Sequence, residues 1–383
     1  MNTIKQEALT LQPRLVSLRR RLHQCPELGA DLPKTRAIIT EQLVRLGLSV
    51  TECAGGLIAQ IGNSGSVVLL RADMDALPVQ EETGFSFASK TPGVSHACGH
   101  DMHTAMLLGT AKVLASMQKE LPGTVYFIFQ PGEEKSPGGA LPIIKSGVLK
   151  GVDAIFGAHV MPNEPAGSIG ILPAGAASSS SDGFFLTIQG KGSHGSMPQL
   201  GVDPIVTGSE IVMVLQTVVS RNATPGDMAV ITVGKFQSGN APNVIPDKAV
   251  LGASIRSVTP ETRKLLEERT RSVIDHVCKA NGAQYKLDYV LGYPSIQNNA
   301  ALRELAKKAA VEAVGEKNVF DSPRIPASED FSYYAQVAPT YFMTIGSGDG
   351  PANHNPGFKA DDGAILNGIK AEVRIILDYL NSK

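Results

Sequence analysis

A chain of 383 residues is too long for one ordinary hydrophobic core, so two domains are expected. Lys plus Arg (35) nearly balance Asp plus Glu (36), which argues against nucleic acid or a membrane as partner and leaves a small molecule. Four scattered cysteines, Cys25, Cys53, Cys98 and Cys278, suit a reduced cytoplasmic protein without disulfides, and neither a signal-peptide core nor a bilayer-length apolar run is expected.

In chain order, two helices open the sequence. One carries Leu11, Leu15, Leu18 and Leu22 on a single face; the other follows Pro33 with Ile38, Leu43 and Leu46, and His23-Gln24-Cys25-Pro26-Glu27 separates them. Apolar runs at 57–61, 67–70, 125–129 and 154–158 read as strands covered on both faces. A helix starts near Met102 and another runs through 141–149. Such alternation predicts a layered α/β core with its sites beyond the carboxyl ends of the strands. The small residues Ala174 to Ser181 read as a hinge or linker. Beyond it, strand 184–189, helix 204–219, strands 228–236 and 249–257, helix 260–280 and strand 285–291 form a β-α-β-β-α-β unit of ferredoxin-like type. From Asn299 the first pattern resumes and ends in an amphipathic helix at 364–380. The α/β domain is therefore expected to be split, residues 1–181 and 293–383, around an insert at 182–292.

Ala97-Cys98-Gly99-His100-Asp101-Met102-His103 packs a thiol, two imidazoles and a carboxylate around one glycine. A bend at Gly99 could aim Cys98 and His100 at one ion, and the helix start behind them favours thiolate over thiol. Cys98 is then a metal ligand or a nucleophile; the plain alternative is a buried free cysteine beside capping groups. Each apolar segment also ends in polar chemistry. Leu70 precedes Arg71-Ala72-Asp73-Met74-Asp75, Phe129 precedes Gln130-Pro131-Gly132-Glu133-Glu134, Ala158 precedes His159, and the exit Gly346-Ser347-Gly348 leads to His354. These donors suffice for one closed or two open metal sites. Of the adjacent glutamates, one carboxylate can bind the metal while the other holds the water that the metal acidifies.

These segments resemble the binuclear metallo-amidohydrolase and carboxypeptidase family of aminoacylases, hippurate hydrolases, N-acetyldiaminopimelate deacetylases, carboxypeptidase G and plant auxin-conjugate hydrolases, in the branch with a cysteine in the metal centre. The likeness runs nearly end to end, through Leu22-His23-Gln24-Cys25-Pro26-Glu27-Leu28, 71–78, 98–103, 130–134, Gly157-Ala158-His159 and Ser328-Glu329-Asp330-Phe331. It implies a zinc-aminopeptidase-like three-layer catalytic domain with an inserted lid and dimerisation domain. It further implies that Cys98, His100, Glu134, His159 and His354 bind two divalent ions (zinc, manganese, cobalt or nickel), with Cys98 shared and Glu133 the general base. Asp75, Asp101 and His103 are expected to orient these groups or to face substrate. Many relatives have a ligand His, one residue, then Asp where this chain has Asp73-Met74-Asp75, which leaves Asp73 without an assigned role. In the insert, His194 resembles the histidine that reaches the partner subunit's active site to steady an oxyanion, Asn243 its companion, and Arg256 a clamp for a substrate carboxylate.

The expected reaction is hydrolysis of N-acyl-L-amino acids of acetyl or benzoyl type by a homodimer joined through the insert. Three rivals stand beside it: a dipeptidase or carboxypeptidase of the same family, a non-catalytic metal-binding relative, and a cysteine hydrolase using Cys98 with His100 or His103.

Overall fold

The structure, a computed structural model, describes residues 2–383, with side chains from Leu9 onward. Along the chain run helices α1 (Asn2–His23) and α2 (Pro33–Arg45), strands β1 (Val50–Cys53), β2 (Gly56–Ile61) and β3 (Val67–Asp73), helix α3 (His100–Ser116), strand β4 (Thr124–Gln130), helix α4 (Ala140–Lys145) and strand β5 (Ala154–Met161). The middle third holds β6 (Asp182–Gln189), α5 (Pro204–Asn222), β7 (Ala229–Ser238), β8 (Lys248–Ser257), α6 (Pro260–Ala280) and β9 (Gln284–Val290). Helix α7 (Ala300–Val314), strand β10 (Thr340–Gly346) and helix α8 (Gly363–Asn381) complete it.

The chain divides into two units, Met1–Ala177 with Ile296–Arg324 and Asp330–Lys383, and Ser178–Ser295 with Ile325–Glu329. In the first, β1-β2-β4-β3-β5-β10 lie side by side, and β4, β3, β5 and β10 run parallel. Their carboxyl ends therefore share one edge. The period-2 rule explains why both faces are apolar. Val68 and Leu70, Phe127 and Phe129, and Tyr341 and Met343 pack with Leu15, Leu18, Met102, Met106, Ile369 and Ile376 of α1, α3 and α8. The intervening positions point the other way, where Phe342 meets Phe331 with ring centroids 4.8 Å apart. Each buried side chain of Leu or Phe size contributes about 2 kcal/mol. Among the described residues no helix is long and apolar enough to cross a membrane.

The second unit is an antiparallel sheet in the order β7-β8-β6-β9, packed on α5 and α6 through Phe184, Leu186, Leu215, Leu251, Leu266 and Ile274. Asp203 and Thr259 cap the two helices, each ahead of a proline in the first turn.

One expectation needs correction. The helix read at 141–149 stops at Lys145, because Gly147, at φ +78°, takes the left-handed conformation that ends a helix. The run Ala174 to Ser181, read as a hinge or linker, contains the boundary between the two units, after Ala177. Ser178, Ser179 and Ser180 are buried, Ser180 N–H donates to Ser257 O at 2.7 Å, Ser179 N–H to Ala327 O at 3.2 Å, and Ser295 Oγ to Ser178 O at 2.8 Å. Small side chains let these backbones approach closely, and the second unit thus begins before the run ends.

Candidate metal centre

Glycine at position 99 is required by its backbone. At φ +85° it turns the chain from Cys98 into the first residue of α3, and a Cβ there would lie 2.3 Å from Val160 Cγ2. The turn delivers Cys98 and His100 to the edge where the parallel strands end. His159 arrives within β5, Glu133 and Glu134 follow β4, and His354 comes from the loop after β10. The donor atoms of Cys98, His100 and His159 lie within 4.8 Å of one another, as do those of Cys98, Glu134 and His354, and those of His100, Glu133 and Glu134. Six residues spread over more than 250 positions are thus brought together, with Cys98, His100 and Glu134 each common to two of these groups.

Hydrogen bonds set the tautomers. His100 Nδ1–H donates to Asp75 O at 2.8 Å, and His159 Nδ1–H donates to Val160 O at 2.8 Å. Both imidazoles therefore present Nε2 as a lone pair. The Nε2 of His159 lies 3.3 Å from Cys98 Sγ. His100 Nε2 and Glu134 Oε1 are buried and make no hydrogen bond, although Glu134 Oε1 is 3.3 Å from His354 Nε2. Lone pairs that face one another without a proton between them fit a shared cation.

The thiol supports this. Burial, against the pull of His100, pushes the Cys98 thiol up to about 12. A thiol buried in this way becomes a thiolate only beside a positive partner, the form in which a cysteine would ligate a cation.

A sequence model of peptidase family M20/M25/M40 matches residues 69–378. The chain belongs to that family. It is 38% identical over 373 residues to an N-acetyl-L-cysteine deacetylase of Bacillus subtilis, covering 95% of this chain and 89% of the relative. To the hippurate hydrolase of Campylobacter jejuni it is 36% identical over 387 residues, covering 99% and 100%. Among solved structures, the YxeP protein of Bacillus subtilis, a dinuclear metal binding peptidase of the M20 family, superposes with a TM-score of 0.85 at 34% identity, over 98% of this chain and 99% of that one. The M20 chain is accordingly a metallo-amidohydrolase.

Around the centre of this M20 enzyme, hydrogen bonds separate the parts played by the supporting residues. The carboxylate of Asp75 accepts from the N–H groups of Glu133 at 3.0 Å and Glu134 at 3.1 Å, while it is the Asp75 carbonyl that orients His100. His103 receives Val160 N–H on Nε2 at 2.8 Å and gives Nδ1–H to Asp73 Oδ1 at 2.6 Å, so neither nitrogen is left for an ion. The other oxygen of Asp73 accepts from Arg71 Nη1 at 2.7 Å. Although Asp73, His100 and His103 cluster, Asp73 is thus an orienting group; burial opposes its charge, but His100, His103 and Arg71 hold its carboxyl well below the usual range. Asp101 turns away from the ligands, accepting from Arg19 Nε at 2.6 Å and His23 Nδ1 at 2.8 Å.

Arg71, Gln130 and Asp330 escaped the sequence reading as a unit. Arg71 donates to Gln130 Oε1 at 3.0 Å and Asp330 Oδ1 at 2.7 Å, and Gln130 Nε2 also bonds Asp330, all fully buried. An arginine directly after four apolar strand residues was the available signal, since such a charge is buried only with partners.

In the second unit, the two-residue strand Ser193–His194 pairs with Val244–Ile245, and Gly195 N–H donates to Asn243 O at 2.8 Å. His194 and Asn243 are therefore neighbours. Ser196 N–H donates to His194 Nδ1 at 3.2 Å, so the exposed ring carries its proton on Nε2. Arg256 is not brought to them. It stands eight positions along β8 from Lys248, roughly 26 Å at the usual rise, and its Nη1 bonds the carbonyls of Ile255 at 3.0 Å and Asp182 at 3.3 Å.

Proposed function

We propose that this enzyme hydrolyses the amide bond of N-acyl-L-amino acids, of acetyl or benzoyl type, releasing the amino acid and a carboxylic acid. The observation that carries the reading is the convergence of Cys98, His100, Glu134, His159 and His354 with the carboxylate of Glu133, 7% exposed, at their side. These five would hold two divalent cations, which when bound supply acidification of water and polarisation of the acyl carbonyl. Glu133 takes the proton from the attacking water and returns it to the departing amine nitrogen. Asp75 keeps that carboxylate in place through the Glu133 N–H. A thiolate with imidazoles suits zinc, and the carboxylate donors admit manganese, cobalt or nickel. The names of the deacetylase and the hippurate hydrolase support the acyl-amino-acid class.

We further propose that the enzyme works as a homodimer, with Nε2–H of His194 from one copy steadying the oxyanion formed in the other, Asn243 beside it, and Arg256 binding the substrate carboxylate. Support comes from the second unit's exposed apolar surface. Strand β7 is an edge, with Val230 and Phe236 each 39% exposed, and α5 presents Val206 and Met213 at 56% and 69%. The free thiols suit a reducing cytoplasm.

N-acetyl, N-benzoyl and N-succinyl amino acids, and dipeptides as the contrast, are assayed after chelation and after each metal is restored. The reading expects metal-dependent release of amino acid from acyl substrates. Activity that survives chelation but not thiol alkylation overturns it in favour of the cysteine hydrolase, and turnover confined to dipeptides moves it to the peptidase. A fully active monomer by light scattering ends the role of His194 in the second copy's site.

A further inference from the structure

The loop that delivers His354 is a tight turn. Asn355 N–H donates to Ala352 O at 3.2 Å, which makes His354 the third of four turn residues, and its φ of +69° is one that glycine or asparagine adopts far more readily. A histidine persists in such a conformation only where its surroundings fix it. Two contacts do so. His354 N–H donates to Ala97 O at 2.8 Å, and the half-buried Asn353 places Nδ2 3.5 Å from Cys98 Sγ and 3.4 Å from Cys98 O. One carboxamide therefore reaches the sulfur of one ligand while its backbone neighbour is another ligand.

We infer that Asn353 is a positioning residue of the metal centre: its N–H bond to the Cys98 sulfur disperses charge on that ligand and locks the turn that brings His354 to Glu134. This rests on the ligand set proposed above. A thiolate is a diffuse acceptor, and an amide donor at this range lowers the energy of its lone pairs and fixes the direction in which it faces a cation. Removal of a partner of this kind commonly costs 10–100-fold in metal affinity. Ala97 and His354 stay joined by backbone alone, so loss of the carboxamide acts on the sulfur and on the side-chain half of the clamp.

The test uses the full-length protein, stripped by chelator and titrated with cobalt(II). Wild type should show a thiolate-to-cobalt charge-transfer band in the near ultraviolet that Cys98→Ser lacks. Asn353→Leu, which keeps the shape and removes the donor, should move that band to longer wavelength and weaken cobalt binding by about 10-fold or more. Asn353→Asp, which replaces the donor with an anion against the sulfur, should move the band at least as far to longer wavelength. The chelated Asn353 variants should melt with the chelated wild type, which separates the effect from misfolding. A normal band position and affinity in Asn353→Leu, with the band present in wild type, overturns the role of Asn353. Absence of the band in wild type instead overturns Cys98 as a ligand, a different outcome from a different sample.

Discussion

The carboxylate of Asp75 accepts the main-chain N–H of Glu133 at 3.0 Å, and its second oxygen accepts that of Glu134 at 3.1 Å. A single side chain after β3 thereby fixes the backbone of both glutamates after β4. Asp75→Ala leaves two N–H groups without their acceptor, and kcat/KM and metal affinity should each fall by about 10–100-fold. Asp75→Asn, which keeps one acceptor oxygen, should fall between that variant and wild type. Metal titration with steady-state kinetics decides it, and an Asp75→Ala enzyme with normal kinetics removes the support role.

The two glutamates should separate by readout. Glu133→Gln is expected to keep its metal and lose about 10²–10⁴ in turnover, the usual range for a positioned acid–base group. Glu134→Gln should lose metal affinity first. Elemental analysis beside activity distinguishes them, and a Glu133→Gln enzyme that turns over normally leaves the non-catalytic reading or another base.

Gly99→Ala places a side chain on a φ of +85° and against Val160. Backbone strain and overpacking should together destabilise the protein by about 2–4 kcal/mol and reduce its metal content, since the turn carries Cys98 and His100. Thermal melting and metal analysis measure both; an unchanged melting temperature means the turn relaxes freely.

Glu372 on α8 is buried with the Thr110 hydroxyl donating to it at 2.5 Å, and burial raises its carboxyl from 4.5 to about 7. Below pH 4.5 the group is protonated in both folded and unfolded chains and costs nothing. Between 4.5 and 7 only the unfolded chain releases the proton, so stability falls as pH rises, by about 3 kcal/mol once pH exceeds 7. Glu372→Gln should therefore raise the melting temperature at pH 8 and change it little at pH 4.5. Equal shifts at the two pH values would show that the effect is packing and not ionisation.

Sequence alone indicated most of the strands and helices, because apolar periodicity is a local property: Val67 to Leu70 and Val125 to Phe129 read as buried strands and α8 from its single apolar face, while the strand Val50–Cys53 and the end of α4 at Lys145 were not read. It also determined the chemistry at the strand exits, since a thiol, imidazoles and paired carboxylates there are what a divalent cation takes. Tertiary structure decided what each group does. Asp75 orients glutamates 58 and 59 residues away, Asp73 is consumed by Arg71 and His103, and Asn353 reaches a sulfur 255 residues before it. It also buried Ser178 to Ser180 beside the unit boundary that the small residues marked. Periodicity tells which face a side chain points from. Only the folded chain tells which atom it meets, because a hydrogen bond is specified by distance and direction between residues that the sequence sets far apart.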